Sequence, residues 1–293
     1  MLGGVALGDG LPVVVMGVLN VSPESFYTGS VRMDTTALVR AAMEMVEAGA
    51  ALIDVGARST APYLDTAISL DEETDRLARA VTALAGKLPV PVSADTPHAG
   101  PAAAALEAGA RVINDVSGLA DPALARLVAV HDAGLIAMAS PRGDAGTAGS
   151  AMPHPAGGSD RAGAPPLRRV RALLECTRER AANAGIRGEH IVLDPGIGFF
   201  RDGPVPPDVW DIEVLAGLAA LRELGRPLAV GVSRKSFLGA VTGRAEPSAR
   251  LAGSLAAAAL AVTNGAALIR AHDVAETVDA VRVAERVRAA RRP

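Results

Sequence analysis

The sequence predicts an α/β protein built as a single (β/α)8 barrel, and three observations carry that prediction. Eight short β-branched apolar runs, at 13–18, 51–55, 90–94, 111–116, 135–138, 191–193, 228–232 and 267–269, alternate with Ala/Leu/Glu/Arg stretches patterned at the helical period, such as 35–48 and 71–84. The 293 residues allot roughly 37 to each strand-helix unit, the size that a closed barrel of the TIM type uses. No Gly-x-Gly-x-x-Gly follows the first run, which argues against an open doubly wound sheet with a dinucleotide turn.

Each element has a local reason. Near-continuous apolar runs are what parallel strands covered on both faces require. Glu47-Ala-Gly-Ala50, Glu107-Ala-Gly-Ala110 and Thr263-Asn-Gly-Ala266 each end an Ala-rich helix with a Gly that supplies a left-handed residue before the next strand. Asp121 before Pro122 reads as an N-cap, and Asp273-Val-Ala-Glu276 as a capping box opening the last helix. The stretch 139–166, dominated by Gly, Ala, Pro, Ser and Asp without periodicity, is the one long flexible loop expected in a single domain of 1–293.

Composition excludes several classes. With 49% hydrophobic and 21% charged residues the chain can bury a large core, and a net charge of −3 offers no basic face to a nucleic-acid duplex or an anionic membrane. Cys176, the lone cysteine, has no internal partner and fits a reduced, cytoplasmic setting. Residues 1–9 carry no Lys or Arg and no apolar segment of signal length, and no run reaches about 18 apolar residues, so a soluble protein is expected.

Aromatic residues make up only 2% of the chain, and their placement is informative. Phe26, Tyr27, Tyr63, Phe199, Phe200, Trp210 and Phe237 all fall in or just beyond segments that follow strands. In a parallel barrel those segments share one face, so the rings are expected to converge there and line a pocket. Polar residues end the same runs: Asn20, Asp54, Asp95, Asn114 with Asp115, Asp194, Arg234 with Lys235, and Arg270 with His272. A helix N-cap explains any one of the acids or amides, but Lys235 and Arg270 cannot cap an N-terminus. Lys235 is one of only two lysines, the other being Lys87.

Inward carboxylates and an amide want a partner with several N–H donors, and a lysine beside them wants an acceptor on the same flat group. An amino-pyrimidinone heterocycle offers both. Arg270 and His272 at the start of the last helix, with Asn20 from the neighbouring first strand, make an anion site of the kind barrels build after strands seven and eight.

The ordered motifs resemble those of the dihydropteroate synthase family. They are Met16-Gly-Val-Leu-Asn-Val-Ser-Pro-Glu-Ser-Phe26, Ile53-Asp-Val-Gly56, Ser59-Thr60, Val92-Ser-Ala-Asp-Thr96, Ile113-Asn-Asp-Val-Ser-Gly118, Leu193-Asp-Pro-Gly-Ile-Gly-Phe199, Gly231-Val-Ser-Arg-Lys-Ser-Phe237 and Arg270-Ala-His-Asp273. An Asp-Pro-Gly-Ile-Gly alone is weak; the ordered set runs from strand one to strand eight. The resemblance implies a barrel that joins 6-hydroxymethyl-7,8-dihydropterin pyrophosphate to p-aminobenzoate, releasing pyrophosphate with Mg²⁺. It implies that Asp95, Asn114, Asp194 and Lys235 hold the pterin with Met138 packed on its ring, and that Asn20, Arg270 and His272 hold the pyrophosphate, Asn20 also ligating the metal. Thr60, Phe199 and Ser236 would border the aminobenzoate, and Lys235, Arg270 and Asp95 would be the catalytic groups. A homodimer through the late helices, where 255–262 offers a flat Ala-rich surface, is also implied.

Three departures stand out. Ala61-Pro-Tyr63 follows Ser59-Thr60 where the family has Arg-Pro-Gly, with Arg58 where the family has Glu. The first loop reads Glu24-Ser-Phe-Tyr-Thr-Gly29 rather than Asp-Ser-Phe-Ser-Asp-Gly, and Met138 is followed by Ala139 rather than His. These changes are similar to a divergent branch found in archaea and touch the arylamine side. A pterin-binding paralogue without synthase activity would accommodate them. A pterin-dependent methyltransferase needs no anion site, which Arg270-Ala-His272 argues against.

Overall fold

The computed structural model describes residues 1–21, 34–58, 68–140 and 164–290. Its strands are β1 (Val14–Asn20), β2 (Leu52–Gly56), β3 (Val92–Asp95), β4 (Val112–Asp115), β5 (Gly134–Met138), β6 (Ile191–Asp194), β7 (Ala229–Gly231) and β8 (Leu268–Ala271). All pair in parallel, in the order β6-β5-β4-β3-β2-β1-β8-β7, and a parallel bridge between Leu193 and Leu228 brings the two edges together into a barrel. Every strand lies within two residues of its expected bounds, because apolar β-branched runs of this length have little else to form.

Helices α1 (Thr35–Glu47), α2 (Leu70–Ala85), α3 (Ala99–Glu107), α4 (Pro122–Val130), α5 (Pro166–Asn183) and α6 (Pro207–Ala216) each follow one strand. Two helices, α7 (Ser236–Thr242) and α8 (Leu251–Thr263), separate β7 from β8, and α9 (Val274–Ala290) follows β8. Asp34, Ser69 and Asp121 cap α1, α2 and α4, Asp121 accepting from Ala123 N at 2.8 Å. The repeated Gly punctuation forms as expected: Gly49, Gly109 and Gly265 have φ of +105°, +111° and +102°. Each is followed by a residue whose N–H reaches back five positions, as Ala50 N does to Met45 O at 2.9 Å.

Asp273 departs from its expected capping box. Its carboxylate accepts Arg234 Nε at 3.1 Å and Nη2 at 2.5 Å, while its carbonyl opens α9 by accepting from Thr277 N at 3.1 Å. The expected loop at 139–166 is narrowed, since Ala139 is buried and donates to Asp194 O at 2.8 Å and α5 begins at Pro166 itself. The rest of that stretch, 141–163, lies outside the described residues.

The strands' period of two sorts their side chains between two apolar regions. Residues such as Ile53, Ile113, Leu135, Leu193, Val230 and Ile269 face outward onto the helices. Met16, Leu52, Val112, Ile136, Val192, Ala229 and Leu268 face inward and fill the barrel floor. The floor is sealed by the first residues of the chain, where Leu2 and Val5 form an antiparallel bridge and Leu2 and Leu7 pack beneath the strands. Nothing in residues 1–9 announced this, because a plug of scattered leucines has no period. Among the described residues no helix is long and apolar enough to cross a membrane.

Candidate active site

Two residues above the floor, the same inward positions turn polar. Leu52 is followed by Asp54, Val112 by Asn114, Val192 by Asp194 and Leu268 by Arg270, all at the C-terminal mouth of the barrel. Register sets the neighbours: Gly56 lies beside both Asn20 and Asp95, Asp95 beside Asn114, and Met138 beside Asp194. Gly56 keeps that part of the mouth open, since a Cβ there would lie 3.5 Å from Asn20 Oδ1 and 3.7 Å from the Asp95 carboxylate.

Arg270 is the centre of the charge network. Its Nε donates to Asp54 Oδ2 at 2.6 Å and its Nη2 to Asp95 Oδ2 at 2.7 Å, while Asn114 Nδ2 donates to the same Asp54 oxygen at 3.0 Å. Burial opposes the guanidinium charge, but Asp54 and Asp95 hold its pKa above the ordinary arginine range. Burial pushes Asp95 up to about 7; Arg270 works against that shift and the Asp54 charge adds to it. Asp194 is raised too, by burial, although Gly196 N donates to it at 2.7 Å.

The opposite wall is built by the loop after β6. Gly196 has φ +73°, and a Cβ there would meet Ala139 O at 2.4 Å; Gly198 has φ +86°, and a Cβ there would meet Lys235 Cδ at 2.8 Å. Only glycine allows both the left-handed backbone and these approaches. Lys235 therefore lies against the loop, its Nζ 4.4 Å from the centroid of Phe199. Burial, with Arg270 adding to it, pushes Lys235 down to about 8, so it remains mostly a cation at pH 7. Ser236 accepts from Arg201 Nη2 at 3.2 Å. His272 lies 3.0 Å through Nδ1 from Ser233 Oγ, and burial, reinforced by Arg270 and Arg234, pushes it down to about 4, leaving a neutral imidazole at neutral pH.

The structure thus gathers Asn20, Asp95, Asn114, Met138, Asp194, Phe199, Lys235, Ser236, Arg270 and His272 at the strand ends and the loops that follow them. Thr60 lies outside the described residues, as do Phe26, Tyr27 and Tyr63. Two other expected members are used elsewhere. Asp115 turns back to its own loop, accepting from Ser117 N at 2.9 Å and Leu119 N at 2.6 Å. Arg234, at φ +61°, pairs with Asp273 and braces the loop against α9.

The aromatic convergence is corrected as well. Phe200 and Trp210 stack at 4.6 Å between centroids and belong, with Phe237, to the buried core; of the four described aromatics only Phe199 borders the site. A ring in a post-strand loop can pack beneath that loop as readily as face the ligand, and position in sequence does not distinguish the two.

Three supporting residues had no signal in the sequence. Asp211 in α6 is buried and accepts from Gly198 N at 2.8 Å, its carboxyl raised to about 6 by burial. Arg250 holds the loop after β7 through the carbonyls of Arg234 at 2.9 Å and Arg244 at 3.0 Å. Glu73, which reads as an ordinary acidic residue of a helix first turn, is buried and accepts from Arg58 Nε at 2.6 Å and Thr96 Oγ1 at 2.6 Å. The unusual Arg58 is thereby anchored on α2, with a second bond to Ile68 O at 3.0 Å.

The pterin binding enzyme family matches residues 16–272, from the floor of β1 to His272 at the mouth. The chain belongs to the dihydropteroate synthase family. Its relatives there include the dihydropteroate synthase of Mycobacterium leprae, 38% identical over 93% of this chain and 92% of that protein. That of Synechocystis is 35% identical over 92% and 89%. The barrel is similar to a Xanthomonas albilineans dihydropteroate synthase crystallised with 4-aminobenzoic acid, with a TM-score of 0.80, 35% identity and coverage of 96% and 94%. The family is one of transferases, and its matched span contains every described site residue named above.

Proposed function

We propose that this chain is a dihydropteroate synthase, condensing 6-hydroxymethyl-7,8-dihydropterin diphosphate with p-aminobenzoate and releasing pyrophosphate. The observation that carries the proposal is the Asp54–Arg270–Asp95 network, which sets an anion-binding cation beside ring-binding acceptors in one mouth. Asp95, Asn114 and Asp194 accept the N–H groups of the pterin edge, Lys235 donates to its carbonyl side, and Met138 packs on the ring. Arg270, His272 and Asn20 receive the diphosphate. The aminobenzoate nitrogen attacks the exocyclic methylene carbon; the C–N bond forms as the C–O bond breaks, pyrophosphate leaves with the electron pair, and the amine proton passes to solvent. Cationic Arg270 and Lys235 stabilise the negative charge that gathers on the leaving group, while Asp95, the pterin anchor, stabilises the positive charge that develops on the pterin. Phe199 and Ser236, with Thr60, border the arylamine.

Asn20 suits Mg²⁺: it presents an amide oxygen at the mouth, and this ion takes one or two protein oxygens together with phosphate oxygens. Among the described residues no group of three or more His, Cys, Asp or Glu is arranged to hold a metal, so the diphosphate itself would supply most of the oxygens. When bound, the ion neutralises charge on the leaving diphosphate. The enzyme acts as one domain of 1–293 in the cytoplasm and pairs with a second copy through its late helices, where Val241, Leu260, Val283 and Val287 are exposed.

The test is pyrophosphate release from the dihydropterin diphosphate and Mg²⁺, with and without p-aminobenzoate, alongside calorimetric titration of the pterin into the wild type and Asp194→Ala. Release that depends on aminobenzoate, and pterin binding that depends on Asp194, are expected. Asp194-dependent pterin binding without aminobenzoate-dependent release would replace this proposal with a pterin-binding paralogue.

A further inference from the structure

Asp54 and Asp115 are both buried carboxylates near the mouth, and they are used differently. Asp115 is occupied by its own loop, accepting from the backbone N–H groups of Ser117 and Leu119 and from the Ser117 hydroxyl at 2.6 Å. Among the described residues Asp54 caps no helix and closes no turn. Its Oδ2 accepts from Arg270 Nε at 2.6 Å and Asn114 Nδ2 at 3.0 Å, and its Oδ1 is buried without a hydrogen-bond partner among the described residues. Ser93, its register neighbour on β3, likewise has a buried hydroxyl without a partner among the described residues, so that neighbour does not tie the carboxylate to the floor. A buried carboxylate is costly, and among the described residues two side chains offset the cost.

Those two side chains belong to opposite halves of the site. A carboxylate is acceptor-only, so it captures the NH₂ end of Asn114 and leaves Asn114 Oδ1 as the atom free to accept from a ring N–H. The same oxygen takes Nε of Arg270, while Asp95 takes Nη2, which leaves the other guanidinium nitrogen, Nη1, for an anion. Resting on the assignment of Asn114 to the pterin and Arg270 to the diphosphate, we propose that Asp54 is a positioning residue that couples the two subsites through one oxygen: ordering either side chain with its ligand orders the other. Because coupling is reciprocal, pyrophosphate must tighten pterin binding by the factor by which pterin tightens pyrophosphate.

Calorimetry with 6-hydroxymethylpterin and inorganic pyrophosphate, each titrated alone and in the presence of the other with Mg²⁺, tests this. In the wild type each probe is expected to tighten the other about tenfold. Asp54→Asn is expected to weaken both probes by about tenfold and to abolish the mutual tightening, which a defect of general stability would not do selectively. Should Asp54→Asn fail to fold by thermal denaturation, Asn114→Ser cuts the same link from the other end; it is expected to weaken the pterin and, at pterin concentrations that still saturate it, to abolish the tightening of pyrophosphate. Mutual tightening that persists in either folded variant, or is missing from a wild type that binds both probes, overturns the inference. A wild type that binds neither probe overturns instead the function on which it rests.

Discussion

The floor and the mouth of this barrel are made by the same strands, two residues apart, and obey opposite rules. Leu52 and Leu268 are fully buried among aliphatic neighbours, so their contribution is packing. Asp54 and Arg270, the next inward residues on those strands, are charges drawn out of water and held by each other. A charge pair in such a place is weak support for stability, because desolvation offsets most of the attraction, yet removing one partner leaves the other stranded. The floor should therefore tolerate small changes of shape without effect on chemistry, and the mouth small changes of stability without loss of structure.

The sharpest break in that contrast is Arg270→Ala. Pyrophosphate release should fall by about a thousandfold, and stability in urea should drop by about 3 kcal/mol at neutral pH as Asp54 and Asp95 lose their shared cation. A variant of unchanged stability would mean that desolvation cancels the attraction of the two acids for their cation. Leu52→Ala, on the floor of the same pair of strands, should cost about 3 kcal/mol of stability and leave kcat within about twofold. Loss of kcat in that variant at a temperature where it remains folded would show that the floor tunes the mouth.

Gly198→Ala should be smaller, about 1–2 kcal/mol, since it forces a side chain into the left-handed region and against Lys235 Cδ. Its distinguishing effect is a several-fold rise in KM for the pterin diphosphate as Lys235 is displaced. A further effect is one of pH. His272 is held at about 4 against an ordinary value near 6.5, so the unfolded chain binds the extra proton between those values. Its contribution is present above about pH 6.5 and is lost as pH falls through 4, by at most about 1.4 kcal/mol per pH unit. His272→Gln should flatten the acid limb of a stability-against-pH curve by that amount, and an unaltered limb would mean that Ser233 and Arg270 do not face a neutral ring.

How much of this was legible depended on periodicity. The eight strands were readable because burial on both faces removes polar residues from a run, and Gly49, Gly109 and Gly265 because a left-handed closing residue has one cheap solution. The mouth was readable as a set of polar residues terminating apolar runs, and Asp95, Asn114, Asp194, Lys235, Arg270 and His272 do come together there. Phe200, Trp210 and Phe237 were misread as pocket residues, because which way a loop ring turns is decided by what packs beneath it. Arg234 was misread for the same reason, its direction set by Asp273, thirty-nine residues away. Glu73 and Asp211 escaped because a buried acid on a helix has the same sequence signature as a solvated one.

The sequence by itself determined the strand-helix alternation, the polar residues that end the strands, and the family, since all three are written in local pattern and ordered motifs. Only the tertiary structure decided which polar residues at the strand ends turn into the mouth and which turn back to their own loop, which arginine faces inward, and that one oxygen of Asp54 joins Asn114, 60 residues on, to Arg270, 216 residues on. Those choices are made by register and barrel closure, which bring distant strands within hydrogen-bond reach, and no stretch of the chain records its future neighbours across the barrel.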